Sequence, residues 1–128
     1  MPARAVMRRA AAGTALHELS IMQSALSQAL EESKRAGASR VEEIRLRVGV
    51  LSGVVPDALQ FAFETLAEGT PAEGAALTIE SVPARFWCCE CRREFEAERR
   101  FAECPDCHVP SNELRAGREL ELVSLEVV

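Results

Sequence analysis

The sequence predicts an α+β protein in which a small mixed sheet is packed by two helices and a four-cysteine module is inserted before the last strand. Two segments repeat apolar residues at three- and four-residue steps, which is the spacing of one helix face. Other segments alternate apolar and polar residues, which is typical of half-buried strands. Two Cys-x-x-Cys pairs, separated by twelve residues, interrupt this order near the C-terminus.

Composition and charge limit the class of protein. The 128 residues suit one compact domain, or a domain with a small metal-stapled appendage. The formal net charge of −5 argues against a general nucleic-acid binder, which would carry a basic surface. No apolar run reaches the length of a transmembrane helix. Five cysteines arranged mainly in pairs, with no secretory signal, indicate a reducing cytoplasm.

The first fifteen residues differ from the rest of the chain. They are rich in Ala and Arg and contain no acidic residue. A signal peptide would need a longer apolar core than this segment has. We therefore expect residues 1–15 to be a disordered extension.

A first helix is predicted from Leu16 to Arg35. Its apolar stripe follows three- and four-residue steps and consists of Leu19, Met22, Leu26, Ala29 and Leu30. Lys34 and Arg35 suit the negative carboxyl end of the helix dipole, and Gly37 can cap that end. A stripe of this kind belongs to a hydrophobic core.

A strand and a second helix follow. Residues 41–50 alternate, with a charged face and an apolar face that consists of Ile44, Leu46, Val48 and Val50. Pro56 suits the first position of a helix, which ends near Gly69. The apolar stripe of this second helix consists of Leu59, Ala62, Phe63 and Leu66.

Two further strands complete the predicted sheet. Leu77 and Ile79 lie on the first, which Pro83 ends. The C-terminal run LELVSLEVV changes its apolar phase, which indicates a bulge or a strand that passes from the module into the main sheet. We therefore predict a domain of residues 16–83 and 116–128, with the module at residues 84–115.

The module contains two Cys-x-x-Cys pairs, Cys88 with Cys91 and Cys104 with Cys107. Each pair places two thiolates on one tight turn, and two facing turns supply the four soft ligands that tetrahedral Zn²⁺ prefers. Disulfides and a redox motif are the alternatives, and this spacing favours them less. Four thiolates leave no open position, so the zinc of this zinc-ribbon-like module would be structural and not catalytic.

Two neighbouring residues are also candidates for the metal site. Cys89 and Cys91 are separated by a single residue, too few for the same turn, so we expect Cys89 to be a packed or partly exposed thiol. His108 follows Cys107 at a position that often requires a positive φ, which His tolerates better than most residues. His108 is also an alternative nitrogen ligand, although four thiolates are already available.

The remaining chemical signal is the run LHELS, at residues 16–20. A histidine in the first turn of a helix is usually a surface residue, so His17 alone indicates little. Because a helix amino end repels cations, a metal there needs negative ligands such as Glu18 or deprotonated backbone amides. Nitrogen donors in a square plane are the arrangement that Ni(II) or Cu(II) favours.

From Leu16 to the C-terminus the sequence resembles the HypA/HybF family of hydrogenase and urease maturation nickel metallochaperones. LHELSIMQSAL resembles the family's opening MHE-[LV]-S motif, and the run SGVVPDALQFAFE resembles its central segment. The WCxxC and CPxC knuckles resemble the family's zinc domain, and LELVSLEV its terminal strand. The knuckles alone occur in many folds, whereas all four motifs in this order are specific.

The resemblance implies a nickel carrier and not an enzyme. It implies that His17 binds nickel together with backbone nitrogens, that Glu18 is the neighbouring acid, and that the two cysteine pairs hold zinc. The implied partners are a hydrogenase maturation GTPase, the large subunit of [NiFe]-hydrogenase and, in some organisms, urease maturation proteins.

Two positions depart from the family pattern. Leu16 stands where the family has its initiator Met, so no α-amine lies beside His17. We hypothesise that the functional chain starts at Leu16, because some leucine codons serve as bacterial initiators. Val55 stands where many relatives carry an acidic residue, and Asp57 is the next carboxylate along the chain.

Two other functions remain open. A zinc-ribbon adaptor would bind a protein or nucleic acid without carrying nickel, and nickel affinity that depends on His17 would exclude it. A thiol redox enzyme would need Cys-x-x-Cys pairs free of zinc, and thiol reactivity of the metal-loaded protein tests for one.

Overall fold

A computed structural model of the protein describes residues 3–6, 18–98 and 102–128. Among these residues, no helix is long and apolar enough to cross a membrane. The order of elements in the described residues is β1 (Ala3–Val6), α1 (Glu18–Arg35), β2 (Val41–Gly49), α2 (Pro56–Ala67), β3 (Ala76–Val82), β4 (Arg85–Cys88), β5 (Arg93–Glu96), β6 (Ala102–Glu103), β7 (Pro110–Ser111), β8 (Leu114–Ala116) and β9 (Leu120–Val127).

The main sheet has the strand order β1-β9-β2-β3. Strands β2 and β3 are parallel because α2 carries the chain back between them, whereas β9 is antiparallel to both β1 and β2. The sheet is therefore mixed, and the predicted fold class is confirmed. Strands β4 to β8 lie between β3 and β9 in the chain and form a separate unit, which we call the cysteine module. We call the main sheet and its two helices the helix–sheet body.

The phase change predicted in the C-terminal run is a β-bulge. Arg45 pairs with Ser124 and the next residue, Leu46, pairs with Leu122, so Val123 is an extra residue in β9. The bulge keeps both Leu122 and Leu125 buried. The other alternative, a strand that passes from the module into the main sheet, is not found among the described residues, since β8 ends at Ala116 within the cysteine module and β9 begins at Leu120 already paired with β2.

One core lies between the helices and the sheet. Helix α1 buries Met22, Leu26 and Ala29 and helix α2 buries Leu59 and Phe63 against the inner sheet face. The outer face is charged and solvated. There Arg47 lies 3.2 Å from the Glu80 carboxylate on β3 and 3.7 Å from that of Glu121 on β9.

Two residues predicted to be apolar core residues are exposed. The predicted stripe of α1 included Leu19, whose exposed fraction is 56%, because the first turn of α1 projects beyond the core. Ser33 is buried instead, at the other end of the helix. Val50 is 52% exposed because β2 ends at Gly49 and the chain turns there.

The expected disordered extension differs from the structure at four residues. Strand β1 (Ala3–Val6) pairs with the outer edge of β9 in an antiparallel register that runs from Ala3 opposite Val127 to Val6 opposite Ser124. An edge strand presents unpaired N–H and C=O groups, which an extended neighbouring segment can satisfy. Residues 7–17, which include the predicted start at Leu16, lie outside the described residues.

Candidate metal centre

Two similar hairpins form the frame of the cysteine module. Strands β4 and β5 flank the turn with Cys88 and Cys91, and β6 and β7 flank the turn with Cys104 and Cys107. Beneath them, the rings of Phe86 and Phe95 stack with centroids 6.0 Å apart.

Each cysteine pair is followed by a residue with a left-handed backbone. Arg92 follows Cys91 with φ of 57°, and His108 follows Cys107 with φ of 64°. The N–H of Arg92 donates to the carbonyl of Cys88 at 2.8 Å, and the N–H of His108 donates to that of Cys104 at 2.9 Å. The positive φ expected at His108 is therefore found. These turns direct both thiols of each pair to the same side.

The four thiols converge on one point. All four Sγ atoms of Cys88, Cys91, Cys104 and Cys107 lie within 4.8 Å of one another. Two separations between the pairs are 3.4 Å, from Cys88 to Cys107, and 3.9 Å, from Cys91 to Cys104. A tetrahedral zinc with bonds of about 2.3 Å separates its sulfur ligands by about 3.8 Å, so the group has the size of such a site. A disulfide would need about 2.05 Å, and all five cysteines are free thiols.

The electrostatics of the group favour a cation. The backbone N–H of Cys107 holds the pKa of the Cys104 thiol below its usual value. A hydrogen bond with Cys107, aided by desolvation, raises the pKa of Cys91 to about 12. The shared hydrogen bonds thus ease the ionisation of Cys104 and oppose that of Cys91, and a divalent cation at the centre of the group would favour the thiolate form of both. The group would then complete a four-sulfur site with no position left for a substrate.

The structure places the other two candidate residues outside the thiol group. Cys89 is exposed and does not belong to it. The imidazole of His108 is also exposed, and its Nδ1 lies 3.0 Å from the Glu103 carboxylate.

The two residues of the predicted nickel site differ in what the structure describes. His17 lies outside the described residues, whereas Glu18 is the first residue of α1. The Glu18 Oε2 atom accepts a hydrogen bond of 3.2 Å from the backbone N–H of Val55. This contact joins residues 37 positions apart at the amino ends of the two helices, and no sequence periodicity indicates it.

Sequence reasoning also missed two side-chain contacts near the cysteines. Arg93 forms an ion pair with Asp106, which ties the turn of one cysteine pair to that of the other. The guanidinium of Arg115 lies 4.5 Å from the ring centroid of Trp87, a cation–π contact. The sequence did contain a signal for the first contact. Arg93 and Asp106 carry opposite charges, and each lies within two residues of a candidate cysteine ligand.

Comparison with known proteins relates most of the chain to one family. The family model described as hydrogenase/urease nickel incorporation, metallochaperone, hypA matches residues 16–127. The hydrogenase maturation factor HypA of Picosynechococcus sp. is 43% identical over 113 residues, which cover 88% of this chain and 100% of that protein. The HypA of Chloroflexus aurantiacus is 45% identical over 112 residues, which cover 87% and 98%.

Solved structures agree with the sequence relatives. The solution structure of the Ni metallochaperone HypA from Helicobacter pylori is 25% identical and aligns with a TM-score of 0.59, covering 87% of this chain and 97% of that chain. A second solution structure of a HypA protein is 26% identical with a TM-score of 0.65, covering 88% and 97%. From Leu16 onward, the chain belongs to the HypA family of hydrogenase maturation metallochaperones.

Proposed function

We propose that the protein is a nickel metallochaperone that delivers Ni(II) for maturation of [NiFe]-hydrogenase. The observation that carries the proposal is the match of residues 16–127 to a family described by nickel incorporation. The match includes the run Leu16–His17–Glu18 at its start and all four clustered cysteines. The protein binds and transfers an ion, and it catalyses no reaction.

The thiol group is proposed as a structural zinc site and not as the cargo site. Four sulfur ligands at tetrahedral separations suit Zn²⁺, whereas Ni(II) in nitrogen-rich sites favours a square plane. Two of the thiols, those of Cys88 and Cys104, are buried, so an ion among them would leave slowly. A cargo ion must be released to its acceptor, so a separate and more accessible site is needed.

The proposed cargo site is at the start of α1. His17 supplies an imidazole nitrogen, and neighbouring backbone nitrogens supply the remaining donors of a square plane. Glu18, the next residue along the chain, is the neighbouring acid that the family resemblance implies. The described contact of Glu18 is with Val55.

The proposal includes the partners and the compartment. A maturation GTPase would assist the transfer, the hydrogenase large subunit would receive nickel, and urease maturation proteins are the second set of partners. Free thiols that must stay available for zinc need a reducing compartment, so we place the protein in the cytoplasm.

A titration of the zinc-loaded protein with Ni(II) tests the function. We expect about one nickel per chain in addition to the zinc, with the absorption bands of a nitrogen-rich square-planar complex. His17→Ala should abolish this binding and leave the zinc content unchanged. Nickel binding that survives His17→Ala, or that displaces the zinc from the thiols, would overturn the proposal.

A second titration tests the contribution of an α-amine. A chain that begins with Met at position 16 offers an amine with a pKa of about 7.7–8.0, which deprotonates to bind a metal. In the 128-residue chain the same nitrogen is a peptide amide, which resists deprotonation. The shorter form should therefore bind Ni(II) more tightly, and equal affinity in the two forms would count against the amine as a ligand.

A further inference from the structure

The amino end of α2 is capped by a residue from α1. Val55 is the N-cap of α2, with φ of −93° and ψ of 116°, and its own side chain makes no capping hydrogen bond. The first N–H groups of a helix need acceptors, and an apolar side chain cannot supply one. The Glu18 Oε2 atom, 3.2 Å from the Val55 nitrogen, supplies it from the other helix.

The donor in this contact is held rigidly. Val54, the preceding residue, is buried, and its N–H donates to the Ser52 hydroxyl at 3.2 Å. Earlier in the same loop, the N–H of Leu51 donates to the carbonyl of Gly117 at 2.7 Å. The loop therefore presents the Val55 N–H in a fixed position, and the partial positive charge of the helix amino end favours a carboxylate there.

The acceptor lies on the first turn of α1, which is only partly buried. Leu19, the residue after Glu18, is 56% exposed, and the first fully buried residue of α1 is Met22. Val55 itself is 54% exposed, so its side chain adds little apolar packing between the two helix ends. Ile21 packs partly against the core from the first turn of α1, and the carboxylate–amide hydrogen bond adds a direct polar link from that turn to α2.

We propose that Glu18 is a positioning residue for the nickel site at His17. Its carboxylate anchors the start of α1 to the amino end of α2 through the Val55 N–H. This inference rests on the proposed role of His17, which precedes Glu18 by one peptide unit. Anchoring of Glu18 limits the orientations of that peptide unit and thereby the loss of conformational entropy when nickel binds. On this account the carboxylate acts through its hydrogen bond and is not itself a metal ligand.

Two substitutions at Glu18 separate these roles. Glu18→Gln removes the negative charge but keeps a carbonyl oxygen that can accept the Val55 N–H. Glu18→Ala removes both. If Glu18 positions the site, Glu18→Gln should keep the nickel affinity that Glu18→Ala loses. If Glu18 is a metal ligand, both variants should lose nickel affinity.

The first measurement is amide hydrogen exchange in the zinc-loaded, nickel-free protein. Glu18→Ala should accelerate exchange at Val55 by about tenfold, whereas Glu18→Gln should stay within about threefold of the parent. Glu64→Ala, which changes an exposed carboxylate farther along α2, is the matched control and should leave Val55 unchanged. Unchanged exchange in Glu18→Ala would show that the anchor does not form and would overturn the inference.

The second measurement is Ni(II) affinity with absorption spectra of the same variants. Glu18→Ala should weaken binding by about fivefold and broaden the square-planar bands, and Glu18→Gln should stay within about twofold. Val55→Pro removes the donor and keeps Glu18, so it should match Glu18→Ala, with zinc content and circular dichroism confirming its fold. Equal losses of nickel affinity in Glu18→Gln and Glu18→Ala, or no loss in Glu18→Ala, would overturn the positioning role.

The two measurements also separate the positioning role from the proposed function. A parent protein that binds no nickel through His17 would overturn the proposed function, whereas the exchange rate at Val55 would still show whether the anchor forms.

Discussion

The helix–sheet body and the cysteine module achieve order by different means. In the described part of the body, one core of 18 buried residues joins both helices to three strands. The described core of the module has six, and two of these are Cys88 and Cys104. Burial of apolar area stabilises a fold roughly in proportion to that area, and six residues bury too little to offset the ordering of five short strands. The body can rely on its core, and we expect the module to depend on a bound metal.

The two regions meet at a junction built from small residues. Gly49 ends β2, and a Cβ atom there would lie 2.2 Å from the carbonyl carbon and oxygen of Gly117. Gly117 in turn lies close to Ala84. Ala84 is on the connection from β3 to β4 and Gly117 on that from β8 to β9, and these two connections join the body to the module. The N–H of Gly49 donates to the carbonyl of Glu119 at 2.7 Å, so the contact is between backbones. A junction of this kind fixes the module to the body without a large apolar interface.

Loss of one proposed zinc ligand should have the largest effect, and it should be confined to the module. Zinc binding supplies about 10–16 kcal/mol in small zinc modules, and Cys104→Ser removes one of four thiolates. We expect the variant to lose its zinc and amide exchange to accelerate across residues 85–116, while residues 18–82 stay protected. Metal analysis and hydrogen exchange check this outcome. Full zinc retention, or parallel loss of protection in the body, would contradict the comparison.

A cavity in the body should have the converse effect. Leu59 on α2 is fully buried, and Leu59→Ala should cost about 2–5 kcal/mol of the free energy of unfolding without releasing zinc from the folded protein. Phe61→Ala is the matched control, since Phe61 lies on the same helix with 72% of its surface exposed. It should change the free energy of unfolding by no more than about 0.5 kcal/mol. Urea denaturation followed by circular dichroism measures both variants, and equal losses would refute the assignment of the core.

A side chain at the junction should have an intermediate effect. Gly117 has φ of +122°, and a Cβ atom there would lie 2.8 Å from the Cα atom of Ala84. Gly117→Ala should therefore lower the free energy of unfolding by about 2–4 kcal/mol. Gly37→Ala is the control, because Gly37 has φ of +71° and open space around it. Its cost should be limited to about 1–2 kcal/mol of backbone strain, and an equal cost at both positions would show that the junction is loosely packed.

The body was largely predictable from sequence because its elements follow periodic patterns. Helix α2 begins at Pro56 and buries Leu59 and Phe63, as the apolar spacing indicates. The bulge in β9 was visible as a change of apolar phase. The exposure of Leu19 was not predictable, since periodicity identifies a helix face and not the extent of the core that covers it.

The cysteine module was predictable in its chemistry and not in its strands. The spacing of four cysteines indicates that their thiols can converge, and the structure brings them together. Strands β6 and β7 have two residues each, too short for any alternation to appear. Contacts between distant residues, such as Glu18 with Val55 and Gly49 with Gly117, depend on how the elements pack and leave no local pattern.

Substitution of the two residues beside the ligands should have the smallest effect. Cys89 is exposed and lies outside the thiol group, so Cys89→Ser should leave one zinc per chain and change the free energy of unfolding by no more than about 0.5 kcal/mol. His108 occupies a backbone position with φ of 64°, and His108→Asn retains a residue that tolerates this conformation while removing the imidazole. Zinc content should again be unchanged, because both residues lie next to the site and neither belongs to the group of four thiols. Metal analysis of these variants, compared with that of Cys88→Ser, tests which cysteines are the ligands. If Cys89→Ser released the metal and Cys88→Ser retained it, the ligand set would be shifted by one residue, and the convergence of thiols seen in the structure would not describe the zinc-bound protein.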